Sequence, residues 1–121
     1  MGTNTKPKPN QLGRARPSRT SAQVEALSSQ DVWEWTGDLL DIDEFAFAGR
    51  LHELELGTAL GPLRRNGSVL LAVRNQIVGR LPDEPAAAVI DALVRERVVA
   101  ARVVNTQPGA SIITVRVRVP L

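Results

Sequence analysis

The 121-residue chain contains no cysteine, no tyrosine and a single histidine, His52. The lack of cysteine excludes disulfide frameworks, thiolate nucleophiles and cysteine-based zinc sites, and it fits a reducing compartment. With one histidine available, a metal site would have to be built mainly from carboxylates. No apolar run reaches the length of a signal-peptide core or of a membrane span. We therefore expect a cytoplasmic protein without a membrane anchor, a cofactor or a bound metal.

The motifs of common enzyme classes are also missing. His52 has no candidate nucleophile in a strand-to-helix elbow, so the sequence does not indicate a catalytic triad. The segment 57–63 lacks the Gly-Lys-Ser/Thr ending of a phosphate-binding loop, and no dinucleotide fingerprint occurs. The acidic run 38–44 lacks the glycine and terminal glutamate of a calcium loop and is better explained as a solvated connector. We expect the chain not to be an enzyme.

The charged residues are arranged in three blocks. Residues 1–30 carry a net charge of +4, residues 31–56 carry −7 and residues 57–121 carry +5, which leaves +2 overall. This arrangement suits either intramolecular pairing or contact with an anionic partner.

The first 28 residues are rich in Pro, Ser, Thr, Gly and Asn and show no apolar periodicity. Burial there cannot offset the backbone entropy of ordering, which is roughly 1–2 kcal/mol per residue. We predict a disordered basic arm over residues 1–28 and a single small β-rich domain over residues 29–121. The arm is either a solubilising tail or a segment that seeks phosphates.

Residues 28–40 predict a short N-terminal helix. Ser28, Ser29 or Asp31 can cap it, and Trp33 and Trp35 contribute to its apolar residues. Because the neighbouring carboxylates repel phosphate, we interpret both tryptophans as a lid over a small core rather than as a base-stacking platform.

Residues 45–67 are interpreted as a strand followed by a loop. The segment from Phe45 to Leu56 alternates, and its apolar face switches near His52, as in a β-bulge or a break between two strands. Both phenylalanines look buried, whereas His52 is interpreted as a surface residue. Residues 57–67 hold three glycines and a proline and end in Asn66-Gly67, which favours a type I′ turn.

The second half of the chain carries the clearest local pattern. A nearly continuous apolar run, residues 69–73, is typical of a central strand covered on both faces, and a turn at Asn75-Gln76 leads to a return strand over residues 77–81. Pro82-Asp-Glu-Pro85 begins a helix. Its predicted core-facing residues are Val89, Ile90, Leu93 and Val94.

Two strands are predicted after this helix, over residues 98–104 and 111–119. The last one alternates cleanly, with Ile113 and three valines on one side and Thr114, Arg116 and Arg118 on the other. The fold class is therefore mainly β, or α+β in stricter terms. We expect a small curved β-barrel or sheet of the SH3 or OB kind, plugged by one helix.

Basic side chains on the predicted turns and solvent faces form the candidate site. Rows of arginine on β-barrels can follow the phosphates of a nucleic acid. The candidate nucleic-acid-binding residues are Arg64, Arg65, Arg74, Arg80, Arg116 and Arg118, with Arg102 in the same predicted rows. Exposed aromatic residues for base stacking are scarce.

The chain resembles the HIRAN domain within residues 45–119. The similar segments are Leu54-Glu-Leu56, a proline-containing loop, Asn66-Gly-Ser-Val-Leu-Leu-Ala-Val73, Ile77-Val-Gly-Arg-Leu-Pro82 and an alanine-rich helix. HIRAN domains typically show an Asn-Pro-Tyr-Asp loop, an Asn-Ala-Val-x-Val strand and a Val-Gly-Tyr-Leu-Pro segment. Here Leu63-Arg-Arg and Gly79-Arg80 stand in place of the tyrosine-containing motifs.

This resemblance implies a small β-barrel and a DNA partner, because some HIRAN domains recognise the exposed end of single-stranded DNA. The residues that it points to are Arg64, Arg65, Arg74 and Arg80. The sequence thus favours a non-enzymatic module that binds nucleic acid, most simply DNA, through an arginine-rich surface. The alternative is a protein-interaction or assembly module, in which the terminal strand 111–119 pairs as an edge with a partner or a second copy.

Overall fold

The computed structural model describes residues 20–121, so residues 1–19 of the predicted arm lie outside the described part of the chain. The elements, in chain order, are helix α1 (Ser21–Glu25), strand β1 (Val32–Asp38), the 3-10 helices η1 (Ile42–Glu44) and η2 (Ala46–Glu53), strands β2 (Ala59–Arg65), β3 (Ser68–Val73) and β4 (Gln76–Arg80), helix α2 (Asp83–Val94), strand β5 (Ala100–Gln107), the 3-10 turn η3 (Pro108–Ala110) and strand β6 (Ile112–Pro120).

All six strands form one antiparallel sheet in the order β1-β6-β5-β2-β3-β4. The sheet is open and curved, which confirms the predicted mainly β class. Its two edges meet at one point, where Leu40, just after β1, forms an isolated bridge with Arg80 at the end of β4. The two backbone hydrogen bonds of this bridge measure 2.7 and 2.9 Å.

The hydrophobic core lies inside the curve of the sheet. Strand β6 alternates as predicted, because Ile113 and the three valines after it are buried in the core while Thr114 and the two arginines face outward. In β3 the buried residues include Leu70 as well as its two neighbours, so this strand is covered on both faces.

Helix α2 packs against β3 and β6 on the core. Pro85 lies in its first turn, where the missing N–H has no intrahelical partner to lose. Ala86, Val89 and Ala92 are buried at intervals of three residues. The helix was predicted to turn Val89 and Val94, among others, toward the core. This prediction is right for Val89 but wrong for Val94, which is 64% exposed at the last position of the helix.

The segment 28–40 contains strand β1 and not the predicted helix. Trp33 and Trp35 stand opposite Val119 and Val117 of β6 and pack against the core. Residues two apart share a face in a strand but not in a helix, so the strand lets both indoles cover the core. The interpretation of the tryptophans as a lid is therefore confirmed.

The segment 45–56 forms η2 and its flanks, so the predicted strand is wrong. The buried residues Phe47, Leu51 and Leu54 are four and three residues apart, which is helical spacing. Phe45, expected to be buried, is partly exposed, and His52 lies on the surface as predicted.

Residues 59–65, predicted to be part of a loop, form strand β2. Pro62 is tolerated because β2 pairs with β5 only through Ala59 and Leu60, so no β5 residue needs the missing N–H. The predicted turn that follows is confirmed, since Asn66 and Gly67 have φ values of 51° and 81°, both positive as type I′ requires.

Residues 20–28, which the sequence assigned to the disordered arm, contain helix α1. Thr20 and Gln23 form a reciprocal capping box, and the side chain of Val24 is fully buried. This helix lies against β5 and β6.

Strand β6 lies inside the sheet, between β1 and β5. The alternative hypothesis that used residues 111–119 as a free edge is therefore wrong, because both sides of this strand already have hydrogen-bonded neighbours. The edge strands of the described sheet are β1 and β4.

Gly79 permits the close approach of the two sheet edges. A Cβ atom added to it would lie 2.9 Å from Leu39 Cβ and 3.3 Å from the Leu40 carbonyl oxygen. We expect Gly79→Ala to lower the free energy of unfolding by about 1–3 kcal/mol in urea denaturation, because backbone atoms must move to make room.

Gly61→Ala is the matched control, since Gly61 is also a strand glycine but a Cβ there would meet nothing within 4 Å. It should change the free energy of unfolding by no more than about 0.5 kcal/mol. Equal destabilisation by the two substitutions would contradict the role assigned to Gly79.

Candidate nucleic-acid interface

The ten arginines among residues 20–121 fall into two groups. Seven form an ion pair or donate a side-chain hydrogen bond to another described residue. The other three, Arg64, Arg65 and Arg74, are exposed and make neither kind of contact with any residue from 20 to 121. The six predicted candidates therefore divide into two classes with different surroundings.

Arg80 stabilises the contact between the sheet edges. Its Nε donates to Asp41 Oδ2 at 2.5 Å, and the two side chains are only 29% and 32% exposed. The hydrogen bond to Asp41 raises the pKa of the Arg80 guanidinium above its usual value. Because the Arg80 backbone also bridges to Leu40, this ion pair lies directly on the meeting point of the two edges.

Arg116 and Arg118 face away from the core, as predicted, but they lie beneath the N-terminal segment. Arg116 is hydrogen-bonded to the carboxylate of Glu25. Arg118 donates to the carbonyl oxygens of Glu25 at 3.1 Å and Leu27 at 2.5 Å, and its Nε lies 3.5 Å from Glu34 Oε1. With its side chain 11% exposed, Arg118 is not part of an open surface.

Arg64 and Arg65 end strand β2 beside the Asn66-Gly67 turn. Their cross-strand partners are Val69 and Ser68. Directly opposed residues share a face of the sheet, and Val69 belongs to the core. Arg65 therefore lies on the outer face, defined as the face of the sheet turned away from the core, while Arg64 lies at the rim of the inner face.

Arg74 lies in the turn between β3 and β4. Arg74 and Asn75 have φ values of 48° and 67°, so both adopt the left-handed conformation of a type I′ turn, one residue earlier than the sequence predicted. Arg74 is exposed in this turn.

The structure does not bring all three exposed arginines together. Arg64 and Arg65 lie at one end of β3 and Arg74 lies at the other, six residues away. At roughly 3.3 Å per residue, the two groups are about 20 Å apart along the strand.

A shallow groove lies on the outer face beside Arg74. It has a volume of about 330 Å³ and is lined by Ala59, Gly61, Pro62, Leu63, Ala72, Val73, Arg74 and Asn75. Gly61 stands directly opposite Ala72, so only one methyl group rises above the backbone of the two strands at this pair. Leu63, 44% exposed, forms an apolar wall toward the Arg65 end. The groove is thus low and apolar with Arg74 at one end, and Arg65 lies on the same face of β2 beyond Leu63 without lining the groove.

A larger cavity of about 500 Å³ lies on the other side of the Arg74-Asn75 turn. Its lining residues are Phe45, Ala46, Phe47, Arg50, Asn75, Gln76 and Ile77. The Arg50 guanidinium lies 4.9 Å from the centroid of the Phe47 ring and donates to Gln76 Oε1, which ties η2 to β4. The cavity therefore combines the partly exposed ring of Phe45 with amide groups, a combination that can accept a flat heteroaromatic ring.

Sequence reasoning missed three residues that define these surroundings. Glu25 and Asp41 neutralise arginines that are 91 and 39 residues away, a pairing that no local pattern reveals. The only available signal for Glu25 was that it is the one acidic residue in the basic block 1–30. Phe45 was missed because the segment was interpreted as a strand with a buried face.

Two negative observations concern residues 20–121 alone. No three His, Asp or Glu side chains there are grouped so that they could hold a metal ion. Among the same residues, no helix has both the length and the apolar character needed to cross a bilayer.

Comparisons with known proteins support the fold only. No protein-family model and no curated protein matches the chain. Two crystal structures share its fold. One is a protein from Lactobacillus plantarum, with a TM-score of 0.62 and 9% identity over 75% of this chain and 96% of that one. The other is the HIRAN domain of human HLTF, with a TM-score of 0.57 and 10% identity over 76% of this chain and 81% of that one. The chain therefore has a HIRAN-like fold, as the sequence resemblance implied.

The Asp41–Arg80 pair can be tested as a structural contact by a double-mutant cycle. We expect Asp41→Asn and Arg80→Gln each to lower the urea midpoint, because each leaves one polar partner of the edge contact unmatched. Asparagine also tolerates the left-handed backbone of Asp41, which has φ 60°, so that substitution removes charge without adding backbone strain.

The double variant should lose less than the two single losses combined, since either substitution removes the same contact. Arg64→Gln, which removes an exposed arginine without a described partner, is the control and should leave the midpoint unchanged. Strict additivity of the two losses would show that the side chains are not coupled.

Proposed function

We propose that this chain is a non-enzymatic module that binds single-stranded nucleic acid, in the first instance DNA, along the outer face of β2 and β3. The observation that carries this proposal is the position of Arg65 and Arg74, two exposed arginines without described partners that lie at opposite ends of β3, with a low apolar groove beside Arg74. Guanidinium groups bind phosphates and carboxylates through charge-assisted hydrogen bonds, and phosphates recur regularly along a nucleic-acid strand.

The separation of the arginines favours an extended ligand. About 20 Å of strand lies between them, and a single nucleic-acid strand of a few nucleotides can place a phosphate near each end. The groove beside Arg74 offers Gly61, Leu63 and Ala72, which are small or apolar and suit contact with sugars and base faces. A compact anion would reach only one end of this surface.

The cavity beside the Arg74-Asn75 turn supplies a site for a base. Asn75 lines both the cavity and the groove, so a strand that follows the groove passes the cavity mouth. The Phe45 ring can stack on a base of any sequence, and the side-chain amides of Asn75 and Gln76 can bond to its edge.

The likeness to a HIRAN domain is consistent with this function, because the resemblance noted in the sequence implies a DNA partner. It adds no residue to the site, since the HIRAN-type tyrosine motifs are replaced here by Leu63-Arg-Arg and Gly79-Arg80. Arg80, Arg116 and Arg118, predicted as phosphate contacts, are placed outside this first surface because described acceptors already occupy them.

Binding through the groove is tested by the double variant Arg65→Gln/Arg74→Gln. In fluorescence anisotropy with a short labelled oligothymidylate, we expect several-fold weaker binding. The slope of log affinity against log salt should fall in magnitude by about 1.4, or about 0.7 for each lost phosphate contact to a single strand. Glutamine keeps the three side-chain carbons up to Cδ and a polar end without the charge, and at position 74 it carries a backbone cost similar to that of arginine.

Arg95→Gln/Arg97→Gln is the control with the same change in net charge, made after helix α2 and away from the groove. It should leave the salt slope within error of the wild-type value. Equal losses in the two double variants would indicate a non-specific charge effect and would contradict the proposed surface.

The base site is tested separately by Phe45→Leu. We expect binding of the same oligothymidylate to weaken by about fivefold or more, because stacking on an aromatic side chain contributes about 1–3 kcal/mol per base. The salt slope should not change, since no phosphate contact is lost. Leu56→Ala removes an exposed apolar side chain that does not line this cavity and serves as the control. A reduced salt slope in Phe45→Leu would place the ring outside the base site.

A further inference from the structure

Three arginines are concentrated on the outer face of β5 and β6. Arg102 and Arg116 are directly opposed across the two strands, and Arg118 lies two residues further along β6 on the same face. Like charges in directly opposed positions destabilise a sheet, so this cluster requires an anion near it.

The N-terminal segment supplies that anion. The carboxylate of Glu25 is hydrogen-bonded to Arg116 and lies 3.7 Å from Arg102 Nε, while Arg118 binds the carbonyl oxygens of Glu25 and Leu27. The Glu25 side chain is only 13% exposed. Residues 20–27, which we call the strap, therefore present one carboxylate and two carbonyl oxygens to the arginine cluster.

The strap does not satisfy the whole cluster. The Nε–H groups of Arg102, Arg116 and Arg118 are buried and make no hydrogen bond with residues 20–121, and those of Arg102 and Arg118 lie only within ion-pair distance, 3.7 and 3.5 Å, of the Glu25 and Glu34 carboxylates. A phosphate group has more acceptor oxygens than a carboxylate and matches the forked geometry of guanidinium groups. The cluster thus has donors left over that a phosphate could use.

The attachment of the strap is also weak for its size. Helix α1 has five residues, too few for a helix to be stable by itself. Val24 is its only buried residue, so the rest of the attachment consists of the charged contacts just described. Competing anions weaken such contacts far more than they weaken apolar packing.

We propose that Arg102, Arg116 and Arg118 form a second phosphate-binding site that the strap occupies in cis, with the Glu25 carboxylate in the position of a phosphate. The strap inhibits this site until a nucleic-acid strand displaces it. The inference rests on the proposed function, because it takes the ligand to be the same polyanion.

The test compares Glu25→Gln with wild type, again by anisotropy with oligothymidylate. Glutamine keeps the shape of the side chain but removes the charge that holds the strap. If the open form is about a tenth of the wild-type population, opening it should tighten apparent binding by about tenfold. The control Glu96→Gln makes the same charge change at an exposed position after α2 and should alter binding by less than about twofold.

The gain in affinity of Glu25→Gln must also depend on the arginine cluster. Adding Arg116→Gln to Glu25→Gln should return the affinity to the wild-type value. A Glu25→Gln variant that binds no more tightly than Glu96→Gln overturns the inference, as does a gain that survives the loss of Arg116.

Hydrogen exchange of the wild-type protein gives a second readout that does not depend on a variant. The amides of Val24, Ala26 and Leu27 donate to carbonyl oxygens within the strap. Because a displaced five-residue helix melts, oligothymidylate should speed their exchange. Slower exchange on adding oligothymidylate, or faster exchange with polyglutamate but not with oligothymidylate, overturns the inference.

These experiments separate the inference from the proposed function. Suppose that the wild-type protein binds, that Arg65→Gln/Arg74→Gln binds more weakly, and that Glu25→Gln binds no more tightly than wild type. The proposed function then stands and the strap is only structural. If Arg65→Gln/Arg74→Gln binds like wild type while Glu25→Gln gains affinity through Arg116, the second site stands and the groove proposal fails. No binding by any of these proteins overturns both.

Discussion

The fold depends on the contact between the two edges of one curved sheet. Two backbone hydrogen bonds join Leu40 to Arg80, and Gly79 allows the chains to approach because a side chain there would collide with Leu39 and the Leu40 carbonyl. This contact holds β1 and β4 over a core that neither edge could enclose alone. The Asp41–Arg80 pair then protects the hydrogen bonds at the point where two edge strands would otherwise expose them.

The same contact explains why the arginines do not form one basic surface. Curving the sheet turns its outer face in several directions, so arginines that are similar in sequence meet different neighbours. Arg80 meets Asp41 from the loop after β1, and Arg116 meets Glu25 from the N-terminal segment. Asp41 belongs to the segment that the sequence suggested is a solvated connector, and Glu25 is an isolated acidic residue in a basic block. Both form ion pairs with partly buried guanidinium groups. Arg64 and Arg65 at the end of β2 and Arg74 in the turn after β3 have no such partner in the described part of the chain.

The sequence predicted best where the period of the apolar residues was unambiguous. The alternation in β6, the Asn66-Gly67 turn and the proline-started helix α2 all follow from local chemistry that no tertiary contact overrides. Prediction from the sequence failed where the same residues fit both the two-residue period of a strand and the period of a helix. Trp33 and Trp35 are two apart, which is strand spacing, whereas capping residues nearby suggested a helix. Phe47, Leu51 and Leu54 have helical spacing, but the alternation from Phe45 to Leu51 hid it.

The arginine candidates show why a site is harder to predict than a strand. Period-two alternation correctly places Arg116 and Arg118 on the outer face, yet facing outward does not mean facing solvent. A second layer covers that face, and its only sequence signals are one acidic residue in a basic block and the single valine beside it. Arg74 escapes this ambiguity, because it lies in a type I′ turn and not in a strand of the sheet. In this sheet, strand alternation alone is therefore weak evidence for an available phosphate contact.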